Sequence, residues 1–124
     1  MQPQAYQQFT QALQKQLMVD ERVMALIALG SLAEPECYDQ WSDHDFWVIT
    51  QTDCQEALLS DLTWLPNADE IVMAFRQAVS YYTVFYRSGH TIEFAVFDTE
   101  QMVRAKTNRY SIFTAVVGVP PALS

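Results

Sequence analysis

Two carboxylates, Asp43 and Asp45, stand one residue apart at the head of the apolar run Phe46-Trp47-Val48-Ile49. No other stretch limits the fold so sharply. Side chains alternate along a strand, so both aspartates face one side while His44 and Phe46 face the other. Like charges repel, and a buried strand is a poor place for charge. Whatever this chain folds into must bring a compensating group to that strand's mouth. Hard divalent cations with oxygen ligands suit two adjacent carboxylates, and Mg²⁺ keeps water and phosphate in its remaining positions.

A third carboxylate is equally out of place. Glu93 interrupts the run Thr91-Ile92-Phe94-Ala95-Val96-Phe97, and a lone glutamate inside an apolar strand is rarely there for stability. If that strand lies beside the one beginning at Asp43, three carboxylates converge. They would then act as metal ligands, with Glu93 as ligand or general base. A two-metal site holds its ions about 3.5–4 Å apart and stabilises both the attacking and the leaving oxygen of a phosphoryl displacement.

The rest of the chain reads as one domain of 124 residues. Residues 4 to 18 place Tyr6, Phe9, Leu13 and Leu17 at helical spacing. Residues 23 to 29 (VMALIAL) form a short continuous apolar run, which suits a strand covered on both faces. Gly30-Ser31 ends it. A glycine there lets backbone approach a ligand closely, and Ser31 is placed to cap a helical turn over residues 32 to 37. The spacing predicts a second strand over 43 to 50 and a helix starting within 53 to 59. Pro66-Asn67 is read as a turn, followed by a helix or irregular connector over 68 to 78. Residues 81 to 86 and 91 to 97, joined by Arg87-Ser88-Gly89-His90, predict a hairpin. A helix is expected over 100 to 107, and the apolar, Pro-containing end is left unassigned. The expected architecture is α/β (α+β): a small mixed sheet with flanking helices.

A net charge of −8 argues against nonspecific nucleic-acid binding, which needs a basic face. It suits solubility and a cationic second substrate. Cys37 and Cys54, with His44 and His90, make no zinc spacing, so they read as reduced thiols of a cytoplasmic protein. No apolar run is long enough for a membrane span. His44 and His90 are read as structural or surface residues, and Trp41, Trp47 and Trp64 as core or rim. Arg87, Arg104 and Arg109 are read as solvated.

The order strand, Gly30-Ser31, eleven residues, Asp43-x-Asp45, then the strand carboxylate Glu93, resembles the DNA polymerase beta-type nucleotidyltransferase superfamily. "GSLA" followed by "WSDHDFWVI" is similar to its small bacterial members, the antibiotic (aminoglycoside and lincosamide) nucleotidyltransferases and the minimal nucleotidyltransferases. The likeness covers residues 20 to 98. It implies a nucleotidyltransferase fold in which Gly30 and Ser31 hold the triphosphate of ATP or another nucleoside triphosphate. Asp43, Asp45 and Glu93 would bind Mg²⁺, two ions in the family pattern. It further implies transfer of a nucleoside monophosphate, AMP from ATP, to a hydroxyl of a small molecule or protein. Where family members often carry Ala-Arg-Gly, this chain reads Ala33-Glu34-Pro35, without the phosphate-facing cation. The antibiotic-modifying members continue into a helical second domain, so the 1–124 domain reads as a minimal form or the N-terminal part of a longer protein. The alternative is a low-activity, antitoxin-like binding module of the same fold, partnered by a helical protein or by a second copy of itself.

Overall fold

The computed structural model describes residues 2–33, 43–104 and 110–115. The first helix, α1 (Pro3–Met18), starts with proline, which has no N–H to leave unsatisfied there. Its buried stripe is Tyr6, Phe9, Leu13 and Leu17, as the spacing predicts. Strand β1 (Val23–Leu29) leads into a one-turn helix, α2 (Gly30–Ala33). Gly30 takes φ +57, a left-handed value that favours glycine. The turn begins at Gly30 itself, so Ser31 lies within it rather than at its cap.

Strand β2 (His44–Thr50) runs antiparallel to β1, with Ala28 opposite Phe46. The end of β1 and Gly30 therefore lie beside the mouth of β2. Helix α3 (Gln55–Ser60) begins two residues after Asp53, whose φ of +67 keeps it out of the helix. Asn67 is left-handed at φ +54 and turns the chain into a single 3₁₀ turn, Ala68–Glu70.

The expectation of helix or connector over 68 to 78 fails beyond that turn. Residues Ile71–Ala78 are an eight-residue strand, β3. Pairing with β4 (Tyr81–Tyr86) overrides the helix-forming Met, Ala, Gln and Arg of β3. The predicted hairpin forms as β4 and β5 (Thr91–Asp98), with Tyr86 N–H donating to His90 O at 2.9 Å. A short helix, α4 (Thr99–Arg104), follows, and residues 105 to 107 of the expected helix lie outside the described residues. A strand not foreseen, β6 (Tyr110–Ala115), pairs antiparallel with β1.

The six strands make one sheet in the order β3-β4-β5-β2-β1-β6. The β2–β5 pair is parallel and the others are antiparallel, so the fold is mixed α+β. One face carries the main core: the α1 stripe and Leu58 and Leu59 of α3 pack on Leu26, Phe46, Val48, Val84, Ile92, Phe94 and Val96. Tyrosine and tryptophan polar atoms in this layer are satisfied by backbone carbonyls: Trp64 Nε1 donates to Leu58 O, Tyr82 Oη to Leu59 O and Tyr86 Oη to Pro66 O, each at 2.8 Å. The opposite face has a smaller apolar patch of Ala25, Ile27 and Ile49, flanked by Trp47 and Phe97. The same opposite face carries the aspartates.

Candidate functional site

Alternation places the site. Phe46, Val48, Ile92 and Phe94 all face the main core, so Asp45 and Glu93 face away from it. In the parallel β2–β5 ladder Asp45 and Glu93 are register partners. Neighbouring strands lie about 4.8 Å apart, which makes their Cα atoms near neighbours. Strands β1, β2 and β5, carrying Gly30, Asp45 and Glu93 at or beside their ends, are consecutive in the sheet. Asp43 stands one residue before β2 and is exposed.

The electrostatics agree with convergence. Burial pushes the Asp45 carboxyl up to about 6, helped by the negative charges of Glu93 and then Asp43. Partial desolvation at the strand mouth also raises the carboxyl of the otherwise exposed Asp43, with Glu93 adding to it. One oxygen, Asp45 Oδ1, is buried and has no hydrogen-bond partner among the described residues. A buried carboxylate oxygen left unpaired is costly. It is also the kind of atom a cation or a donor ligand would engage. Among the described residues, however, no three His, Cys, Asp or Glu side chains are gathered closely enough to hold a metal ion as they stand.

Tyr81 and Thr83 join this face, because Tyr82 and Val84 point into the main core layer. Thr83 is the register partner of Glu93, and its Oγ1 accepts from Gln77 Nε2. Burial, then Asp45 and Glu93, raise the Tyr81 hydroxyl above its ordinary value. Sequence reasoning passed over Tyr81. The signal was present in the alternation of YYTVFY, which puts Tyr81 on the face of Glu93 once the hairpin is drawn.

The histidines are not surface residues. His44 is fully buried and His90 nearly so. His44 Nδ1 lies 2.9 Å from His90 Nε2, and His44 Nε2 lies 2.7 Å from Thr10 Oγ1. The His44 ring stacks on Tyr6 with centroids 3.9 Å apart, and Phe9 leans on both imidazoles. Burial, with the neighbouring His90, holds His44 down to about 3; burial holds His90 down to about 4. Both are neutral at pH 7.

Of the remaining candidates, Trp64 is buried and Trp47 half-buried, while Trp41 lies outside the described residues. Arg87 pairs with Glu70 at 3.2 Å on the surface. Cys54 is a free thiol, and Cys37 lies outside the described residues. No helix among the described residues is long and apolar enough to cross a membrane. Compared with known proteins, the chain matches no family model and no curated protein.

Proposed function

We propose that this domain is a nucleotidyltransferase of the DNA polymerase beta type, transferring AMP or another nucleoside monophosphate from its triphosphate to an acceptor hydroxyl. One observation carries the reading. Asp45 and Glu93 are register partners at the mouth of a parallel strand pair, with Asp45 Oδ1 buried and unpaired. Hard oxygen donors of this kind fit Mg²⁺. Asp43, Asp45 and Glu93 would hold it, Asp45 and Glu93 as register partners and Asp43 one residue before β2. Bound Mg²⁺ would supply positive charge that stabilises the triphosphate and the negative charge developing on its oxygens during transfer.

The chain's own residues then have distinct tasks. Gly30, left-handed at the end of β1, lets the triphosphate approach backbone beside the carboxylates, and Ser31 follows it in the same turn. Glu93 accepts the proton of the acceptor hydroxyl as its oxygen bonds to the α-phosphorus, and pyrophosphate leaves with the bond electrons. The Tyr81 hydroxyl, kept protonated, offers a donor beside the carboxylates. Thermal melting with Mg²⁺ and each nucleoside triphosphate tests the reading. At about 100 times its dissociation constant a ligand stabilises the fold by about 2.7 kcal/mol, a shift that Asp45→Asn should abolish. A parent chain indifferent to every Mg²⁺–nucleotide pair would refute it.

A second reading is a binding module of the same fold with little catalysis. It draws on Val72, Met73 and Phe75 of β3 and Phe85 of β4, large apolar side chains left exposed at one sheet edge.

A further inference from the structure

The buried histidines lie on the far side of the sheet from the carboxylates, yet His44 is the residue between Asp43 and Asp45. Hydrogen-bond accounting gives the cluster a direction. Thr10 Oγ1 donates its one proton to Tyr6 O at 3.0 Å, so it accepts from His44 Nε2–H. His44 Nδ1 is then a lone pair and accepts from His90 Nε2–H. Donation runs one way, from β5's approach through β2 to α1: His90 to His44 to Thr10 to the Tyr6 carbonyl. Tyr6 closes the circuit, its hydroxyl donating to the Asp43 carbonyl at 3.2 Å while its ring covers His44.

An apolar side chain at position 44 would fill this layer as well as Phe46 fills the next. Buried polar groups cost stability unless every partner is met. What the polar chain adds is direction. Packing alone lets a strand end slide or rotate, whereas these bonds fix the imidazole at both nitrogens and the preceding carbonyl at its oxygen. That matters where like charges at Asp43, Asp45 and Glu93 push the strand ends apart.

We propose that the His90–His44–Thr10–Tyr6 chain is a positioning device, which holds the Asp43–Asp45 segment at the mouth of β2 against the repulsion of its own carboxylates and so sets the metal affinity of the site. This rests on the metal reading above. None of the four touches the reacting atoms; they act through the backbone of residues 43 to 45.

Two measurements test it. Long-range ¹⁵N–¹H spectra of the imidazoles should show both histidines as neutral Nε2–H tautomers at pH 7. A His44 that carries its proton on Nδ1, or on both nitrogens, overturns the donor chain. Binding of Mn²⁺, followed by water proton relaxation, reads the consequence. His90→Gln keeps an amide donor for His44 Nδ1 and should keep the parent's Mn²⁺ affinity. His90→Met fills the space without a donor, leaves the buried His44 Nδ1 unpaired and so lowers the melting temperature, and should weaken Mn²⁺ by about tenfold or more. Tyr6→Phe, which keeps the stacked ring and frees the Asp43 carbonyl, should weaken Mn²⁺ in the same way and serves if His90→Met does not fold. Parent-like Mn²⁺ affinity in the folded Met or Phe variants overturns the positioning role alone. No Mn²⁺ binding by the parent overturns the metal reading, and the positioning role with it.

Discussion

Asp45→Asn should make the metal-free protein more stable at neutral pH, and the gain should vanish in acid. The Asp45 carboxyl stands at about 6, against an ordinary value of 3.8. A group whose folded value is raised contributes fully below its unfolded value and loses that contribution as pH rises through the folded value. For Asp45 the loss falls between about pH 4 and pH 6. At about 1.4 kcal/mol per unit, two units set a ceiling of about 3 kcal/mol. Asp45 is only half-buried, so solvent screening reduces this to about 1 kcal/mol. In a chain of 124 residues, that is a rise of about 4 °C in Tm. The assay is circular-dichroism melting of parent and variant in chelator, from pH 4 to pH 7.5. The variant's advantage should open between pH 4 and 6 and stay level above. A variant less stable than the parent at pH 7, or a difference independent of pH, would refute the account of a burdened, unpaired carboxylate.

Other expectations follow from the same geometry. The histidines act with the opposite sign: values held down to about 3 and about 4 mean stability that is whole above about pH 6.5 and is lost as pH falls. His44→Phe should therefore move the acid-unfolding midpoint to lower pH, as read by tryptophan fluorescence. Leu13→Ala empties a fully buried position of α1 and should cost about 3 kcal/mol in urea unfolding. Gly30→Ala meets no atom within 4 Å but must hold φ +57, so backbone strain of about 1 kcal/mol is expected, with Gly30→Asn losing less. A larger loss would show that an unseen contact, not the dihedral, requires glycine.

The parts of the fold that the chain announces are those where pattern and packing agree. The runs at 23–29, 44–50 and 91–98 are apolar enough to be strands, and the alternation around Glu93 and Asp45 foretold their common face. Strand β3 was hidden because its apolar residues are exposed and its composition favours helix; only the β4 ladder makes it a strand. Strand β6 draws its pairing from β1, some eighty residues earlier, which no local signal encodes. The His44–His90 bond spans 46 positions. Two isolated histidines in a sequence carry no mark of meeting, and their burial follows from where α1 lies over β2 and β5.

The one parallel pairing among the described strands has a consequence for folding kinetics. Strands β3, β4 and β5 form a local antiparallel meander, the kind of unit that assembles early. A parallel pair cannot be closed by a tight turn, and here α3 and the β3–β4 ribbon together make the crossover from β2 to β5. Closing that long connection is expected to come after the meander, so Asp45 and Glu93 should meet late. On that order their repulsion should load the finished fold more than the transition state, hastening opening rather than slowing assembly. A counter-ion arriving at these carboxylates would lengthen the lifetime of the folded domain far more than it quickened its formation.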